Sequence, residues 1–261
     1  MLNHFFLAVF FGAIIAAGSF YARFLTRSGA MATFLLAVII YGFGSWQFAI
    51  PILTFFILSS LLSQKGKQGK VALDQVFEKP GARDGGQVAA NGGIAGLLAI
   101  VSYAFPVYDF YPLYLGAIAA VTADTWGTEI GVLTRGVTLS VVNFKPVSAG
   151  TSGGISERGS LASIAGATTI AASGYYWYTD LRTALAIVVA GVSGSLLDSI
   201  LGATLQTQYR CQVCGRATER REHCEQPTRL ESGLTWIDND VVNWACALAG
   251  AGFAMLLSMA L

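Results

Sequence analysis

The sequence predicts an all-α fold, a polytopic transmembrane bundle of about eight helices with one small Cys- and His-bearing loop. Three observations predict it. Of 261 residues, 54% are hydrophobic and only 12% are charged, about half the charge that a water-facing domain carries. Apolar runs of membrane-crossing length recur along the chain. The cations gather in every second connection between those runs. Residues 1–261 read as a single integral membrane domain, with the Cys/His loop over 206–240 inserted between the last two spans.

A spanning helix needs about 20 mostly apolar residues. Leu2–Tyr21 is the first such run. No Lys or Arg precedes it and no small-residue cleavage site follows before Arg23, so it reads as a retained helix and not a secretory leader. Ala30–Trp46 and Phe48–Leu62 follow without a charge in either. They are so close that they form a tight hairpin or one long broken segment. Val88–Phe105, Tyr111–Leu133, Leu161–Tyr178, Thr183–Leu205 and Val241–Leu261 complete the set.

Short loops allow orientation to be read from Lys and Arg. One set of alternate loops holds fifteen of the 16 cations, among them Arg23, Lys79, Arg83, Arg135, Lys145, Arg158 and Arg216; the opposite set holds only Arg182. This places both termini outside, and the long polar loops in the cytoplasm of a cell whose plasma membrane the chain crosses. A net charge of +1 gives no basic surface for nucleic acid.

Ionisable groups inside spans are costly and point to function. Span five ends in Asp124-Thr125-Trp126-Gly127-Thr128-Glu129, which puts Asp124 and Thr128 one turn apart. Asp198 falls at a similar depth in span seven. Asn91 lies near the start of span four, Gln206 closes span seven, and Asn239, Asp240 and Asn243 open span eight. All lie at cytoplasmic ends. Carboxylates beside hydroxyls are hard oxygen ligands suited to Mg²⁺, so Asp124, Glu129 and Asp198 are the expected magnesium ligands.

The connection from Lys145 to Ser160 is dense in glycine and hydroxyl groups. Gly150, Thr151, Ser152, Gly153, Gly154 and Ser156 lie between Lys145 and Arg158. Glycines let backbone N–H groups converge on an anion, and the cations neutralise it. Ser156 is placed to cap the next helix and aim its N-terminus at the same anion. The spacing does not fit a Walker motif.

Cys246 sits alone in the last span and reads as an apolar filler. Cys211, Cys214, His223 and Cys224 share one loop, with Gly215 turning a C-x-x-C knuckle. On a cytoplasmic side disulfides are disfavoured. Three thiolates and an imidazole fill a tetrahedron, so the reading is a structural Zn²⁺ site.

Taken together, the strings Gln87-Val-Ala-Ala-Asn91-Gly92, Ala123-Asp124-Thr125-Trp-Gly-Thr128-Glu129-Ile-Gly131, Lys145 to Ser156, Leu201-Gly-Ala-Thr-Leu-Gln206 and Asn239-Asp240-Val-Val-Asn243 resemble the transmembrane protein 19 family, also called domain of unknown function 92. The resemblance runs from about Gln87 to the C-terminus. It implies a relative of plant phytyl-phosphate kinase and of the polyprenol and phytol kinases. The implied activity is transfer of a phosphoryl group from CTP or ATP to a prenyl or other lipid monophosphate. On that analogy Asp124 binds Mg²⁺ or acts on the acceptor, and the Lys145–Gly154 loop holds phosphates. The Cys-rich loop departs from the plant pattern.

The residues agree with a kinase independently of the resemblance. Phosphoryl transfer needs mainly positioning and charge neutralisation, which Asp124, Glu129, Asp198 and Lys145 would supply. Asn91, Thr125, Thr128, the Gly150–Gly154 stretch, Ser156, Arg158, Gln206 and Asn243 would contact substrate or phosphate. The alternative is a transporter or flippase of a lipid phosphate, which would favour a site at mid-membrane with broken helices.

Overall fold

A computed structural model describes residues 2–70, 81–134 and 136–260. Lys79 and Arg135, both counted for orientation, lie outside the described residues. The helices are α1 (Leu2–Tyr21), α2 (Arg27–Lys70), α3 (Gly85–Ala104), α4 (Tyr111–Leu133), α5 (Glu157–Tyr178), α6 (Leu181–Thr204) and α7 (Asn239–Ala260). Among the described residues, five helices are long and apolar enough in themselves to cross a bilayer: α1, α2, α3, α6 and α7. The chain is a multi-pass integral membrane protein.

α2 is two spans. Ser45 is non-helical, with φ 55° and ψ −156°, and the chain reverses there. Phe5 of α1 packs edge-on against Phe43, with ring centroids 5.3 Å apart. At the other end of α1, the Ala22 carbonyl accepts from Gln64 Nε2 at 3.2 Å. The limb after Ser45 therefore returns to the level at which the first limb began. Of the two arrangements left open by the sequence, the hairpin is the one found, and it brings the bundle to eight helical limbs.

α4 is the hub. Its residues from Tyr111 to Ala123 are nearly all buried, because other helices surround it. Small residues permit that closeness, as is usual where lipid supplies no hydrophobic drive between helices. A Cβ placed on Gly116 would lie 2.5 Å from Ala254 Cβ and 2.6 Å from the Gly250 carbonyl oxygen of α7. On α6, a Cβ on Gly194 would lie 2.6 Å from Ala120 Cβ. Gly116→Val is expected to lower stability by about 1–3 kcal/mol through overpacking. Thermal unfolding in detergent measures this, and an unchanged midpoint would contradict the tight α4–α7 contact.

Polar caps extend the helices past their apolar runs. Asp84 caps α3 in a reciprocal box with Gln87, Ser156 caps α5, and Asp180 caps α6. The all-α class holds, and the loops add short strands absent from the sequence reading. β1 (Thr138–Ser140), β2 (Pro146–Val147) and β3 (Gly154–Ile155) form one antiparallel sheet in the order β2-β1-β3. The Cys/His loop contributes β4 (Gln208–Arg210), β5 (Ala217–Thr218), β6 (Glu222–His223), β7 (Gln226–Pro227) and β8 (Arg229–Ser232). These form a β5-β4-β8 sheet and a β6-β7 hairpin.

Candidate active site at one end of the bundle

A cavity of about 390 Å³ opens at the end of the bundle that carries the long loops. Its inner end is set by α4. Once past Ala123, the burial of α4 relaxes and its polar stripe begins. The Asp124 side chain on α4 and the Asp198 side chain on α6 both line this end of the cavity, close enough to interact electrostatically. Two neighbouring buried carboxyl groups favour a shared proton or a cation between them. Cys246 of α7 is fully buried. One and a half turns further along α4, Glu129 Oε1 accepts from Ser63 Oγ at 2.8 Å. Thr125 and Thr128 also line the cavity. The Thr125 hydroxyl donates to the Val121 carbonyl at 2.7 Å, which leaves its oxygen lone pairs to accept or ligate.

Three helix N-termini converge on this space: those of α3, α5 and α7. Gln87 and Asn91 come from α3, Ser156, Gly159 and Ser160 from α5, and Asn239, Asp240 and Asn243 from α7. Each N-terminus carries about half a positive charge on its unpaired N–H groups. Gly127 and Gly131 of α4 let α5 come in closely. A Cβ on Gly131 would stand 3.1 Å from Ser156 Oγ and 3.5 Å from Gly159 Cα.

The Gly/Ser loop covers the cavity from the α6 side. Gly150, Thr151, Ser152, Gly153 and Gly154 all line it. Gly153 has φ +75°, and a Cβ there would come within 2.5 Å of the Ser199 carbonyl oxygen. Only glycine fits between this loop and α6. Ser156 accepts from the Gly159 N–H at 3.2 Å, as its capping role requires. Lys145 and Arg158 are exposed and do not line the cavity. The reason is local. Lys145 follows the β1–β2 turn at Asn143 and Phe144, and Arg158 stands on the outer side of the first turn of α5.

Two charged residues at the cavity escaped the sequence reading. Arg83 lies just before the α3 cap and was counted only for orientation. Glu219 arrives from the Cys/His loop. It accepts from Ser152 Oγ at 2.7 Å and from Gln206 Nε2 at 2.8 Å. One carboxylate thus joins the Cys/His loop, the Gly/Ser loop and the end of α6. Its position between two metal-type knuckles was the available signal. Glu219→Ala should leave two donors without their acceptor and cost about 1–3 kcal/mol. A thermal shift checks this, and no change would show that the loops dock by other means.

The Cys211, Cys214, His223 and Cys224 ligand atoms all lie within 4.8 Å of one another. His223 presents Nδ1, at 3.1 Å from Cys224 Sγ and 3.6 Å from Cys214 Sγ. A tetrahedral zinc site with bonds of about 2.3 Å has ligand–ligand edges of about 3.8 Å, so the four residues can hold one such ion. The Cys214 and Val213 N–H groups both point at Cys211 Sγ, at 3.5 and 3.4 Å. Led by the Cys214 contact, these bonds bring the Cys211 thiol down to about 6, where it is ready to ligate.

The comparisons with known proteins agree with this architecture. Over 268 residues the chain is 31% identical to Protein PGR of Arabidopsis thaliana, covering 92% of this chain and 91% of that protein. It is 32% identical over 190 residues to an uncharacterized membrane protein of Methanocaldococcus jannaschii, covering 71% of this chain and 76% of that one. Protein VTE6, chloroplastic, of Arabidopsis thaliana is 24% identical over 241 residues, covering 89% of this chain and 65% of that protein. No solved structure matches the chain. The family described as Integral membrane protein DUF92 matches residues 10–251. With that match spanning nearly all of the bundle and every wall of the cavity, the chain belongs to the DUF92 integral membrane family.

Proposed function

We propose that the protein is a membrane-embedded prenyl-phosphate kinase, which transfers the γ-phosphoryl group of a nucleoside triphosphate to a lipid monophosphate. The observation that carries this reading is the pair of carboxyl groups, Asp124 and Asp198, lining one cavity under a glycine-rich loop and among three helix N-termini. Carboxylates at the inner end and N–H groups around the opening suit a metal–polyphosphate ligand. The family's resemblance to plant phytyl-phosphate kinase supports a prenyl acceptor.

An oxygen of the lipid phosphate attacks the γ-phosphorus. The bond from that phosphorus to the β–γ bridging oxygen breaks, and the products are a lipid diphosphate and a nucleoside diphosphate. Asp124, Asp198 and Glu129 would hold Mg²⁺, which when bound neutralises the transferring phosphoryl oxygens. The Gly150–Gly154 backbone and the α5 N-terminus, with Ser152 and Ser156, would hold the nucleotide phosphates. Asn91, Thr125, Thr128, Gln206 and Asn243 would complete the polar wall. From the rim, Lys145 and Arg158 would attract the anionic nucleotide. The Cys/His site would take Zn²⁺ as a structural ion. The fifteen-to-one cation bias supports a cytoplasmic active face, both termini outside, and a plasma-membrane setting.

A panel of prenyl monophosphates tested with CTP, ATP, GTP and UTP in detergent checks the proposal. Mg²⁺-dependent formation of a lipid diphosphate is the expected result. A requirement for sealed vesicles, with no new lipid product, would replace the kinase with a transporter.

A further inference from the structure

A second chamber, apolar and about 70 Å³ in volume, lies between α1, both limbs of α2 and the start of α3. Leu36, Ala37 and Ile40 form one wall, and Ile52 and Phe56 form the opposing one. Thr33 of the first α2 limb also lines it, and its polar side toward the large cavity consists of Arg83, Gln87 and Asn91. These last three residues line the large polar cavity as well, so the two spaces border each other across them. Gln87 and Asn91 lie one turn apart on α3 and present one face to both.

Arg83 is held firmly at this border. Its N–H donates to the Phe24 carbonyl at 2.9 Å, and its carbonyl accepts from the Thr26 N–H at 3.0 Å. The guanidinium lies over the Phe55 ring, 5.6 Å from the centroid, a favourable placement for a cation. Its fork suits the paired oxygens of a phosphate. A soluble nucleotide has no use for an apolar chamber beside its phosphates, whereas a lipid phosphate needs both environments within one bond of each other. The chamber is too small for a long chain, so only the units next to the head group fit.

We infer that Arg83 binds the phosphate of the lipid acceptor, and that the chamber between α2 and α3 receives the first hydrocarbon units of its tail. This acceptor subsite rests on the kinase reading and gives it a direction. The lipid enters from the α2–α3 side, opposite the Gly/Ser loop that holds the nucleotide.

Kinetics and binding test it together. Arg83→Gln should raise the KM for a C20 prenyl monophosphate about tenfold or more, with the nucleotide KM nearly unchanged. Arg83→Lys, which keeps the charge, should fall between and guards against misfolding of the first variant. Ala37→Phe, which narrows the chamber, should penalise the C20 substrate more than a five-carbon monophosphate. A rise in the nucleotide KM instead, or equal losses for both chain lengths, would overturn the assignment. Binding of radiolabelled C20 prenyl monophosphate without nucleotide is read in parallel. Unlabelled lipid phosphate should compete, and inorganic phosphate or the free prenol should not. If wild type binds this lipid and Arg83→Gln does not, the subsite stands even where no nucleotide yields product, and only the kinase reading falls. If Arg83→Gln binds as wild type does, the subsite falls whatever the kinetics.

Discussion

Asp124→Asn should reduce phosphoryl transfer by about a thousandfold or more, with little change in fold. The substitution keeps the side-chain volume beside Asp198 while removing the negative charge a divalent cation needs. Transition-state charge stabilised in a dry site is worth far more than the same contact in water. Asp198→Asn should act similarly, and the double variant should lose little beyond either single one, because both serve one ion. Single-turnover transfer from labelled nucleotide measures the effect. Full activity in Asp124→Asn would remove the pair from the chemistry.

The second large effect concerns the Cys/His loop. Cys211→Ser should abolish stoichiometric metal binding, measured as zinc per chain by mass spectrometry. Metal binding in small zinc modules supplies about 10–16 kcal/mol of apparent folding energy, and this loop has little else. Its strands are only two to four residues long. Among its cross-strand supports is the exposed Arg210–Glu231 ion pair, which contributes little. Glu219 stands between the knuckles and holds Ser152 and Gln206. Activity should therefore fall with the metal, although none of Cys211, Cys214, His223 and Cys224 lines the cavity. Retention of both metal and activity in Cys211→Ser would contradict this coupling.

The bundle was legible because its signals are long-range and redundant. Twenty-residue apolar runs and one-sided cations give the spans without any knowledge of packing. The α2 reversal was left open because a chain break at Ser45 costs a single unusual φ, and hydropathy does not register it. Helix starts were placed late at Val88 and Leu161, because Gly85 and Glu157 follow polar caps that look like loop. At the site, Asp124, Asp198 and Glu129 were found by the cost of placing charges within a membrane, and the glycines by their density between Lys145 and Arg158. Arg83 and Glu219 were missed because each sits in a polar segment where a charge is ordinary. Their place at the cavity comes from tertiary docking. Lys145 and Arg158 looked like phosphate ligands by sequence distance, but the β1–β2 turn and the first turn of α5 leave them exposed.

The most direct measurement follows γ-labelled nucleotide and prenyl monophosphate incubated with the purified protein in detergent and Mg²⁺. A prenyl-phosphate kinase yields labelled prenyl diphosphate in equal amount to nucleoside diphosphate, and Asp124→Asn yields neither. Nucleotide hydrolysis with no labelled lipid, or no reaction across the full nucleotide and lipid panel, would contradict the kinase reading.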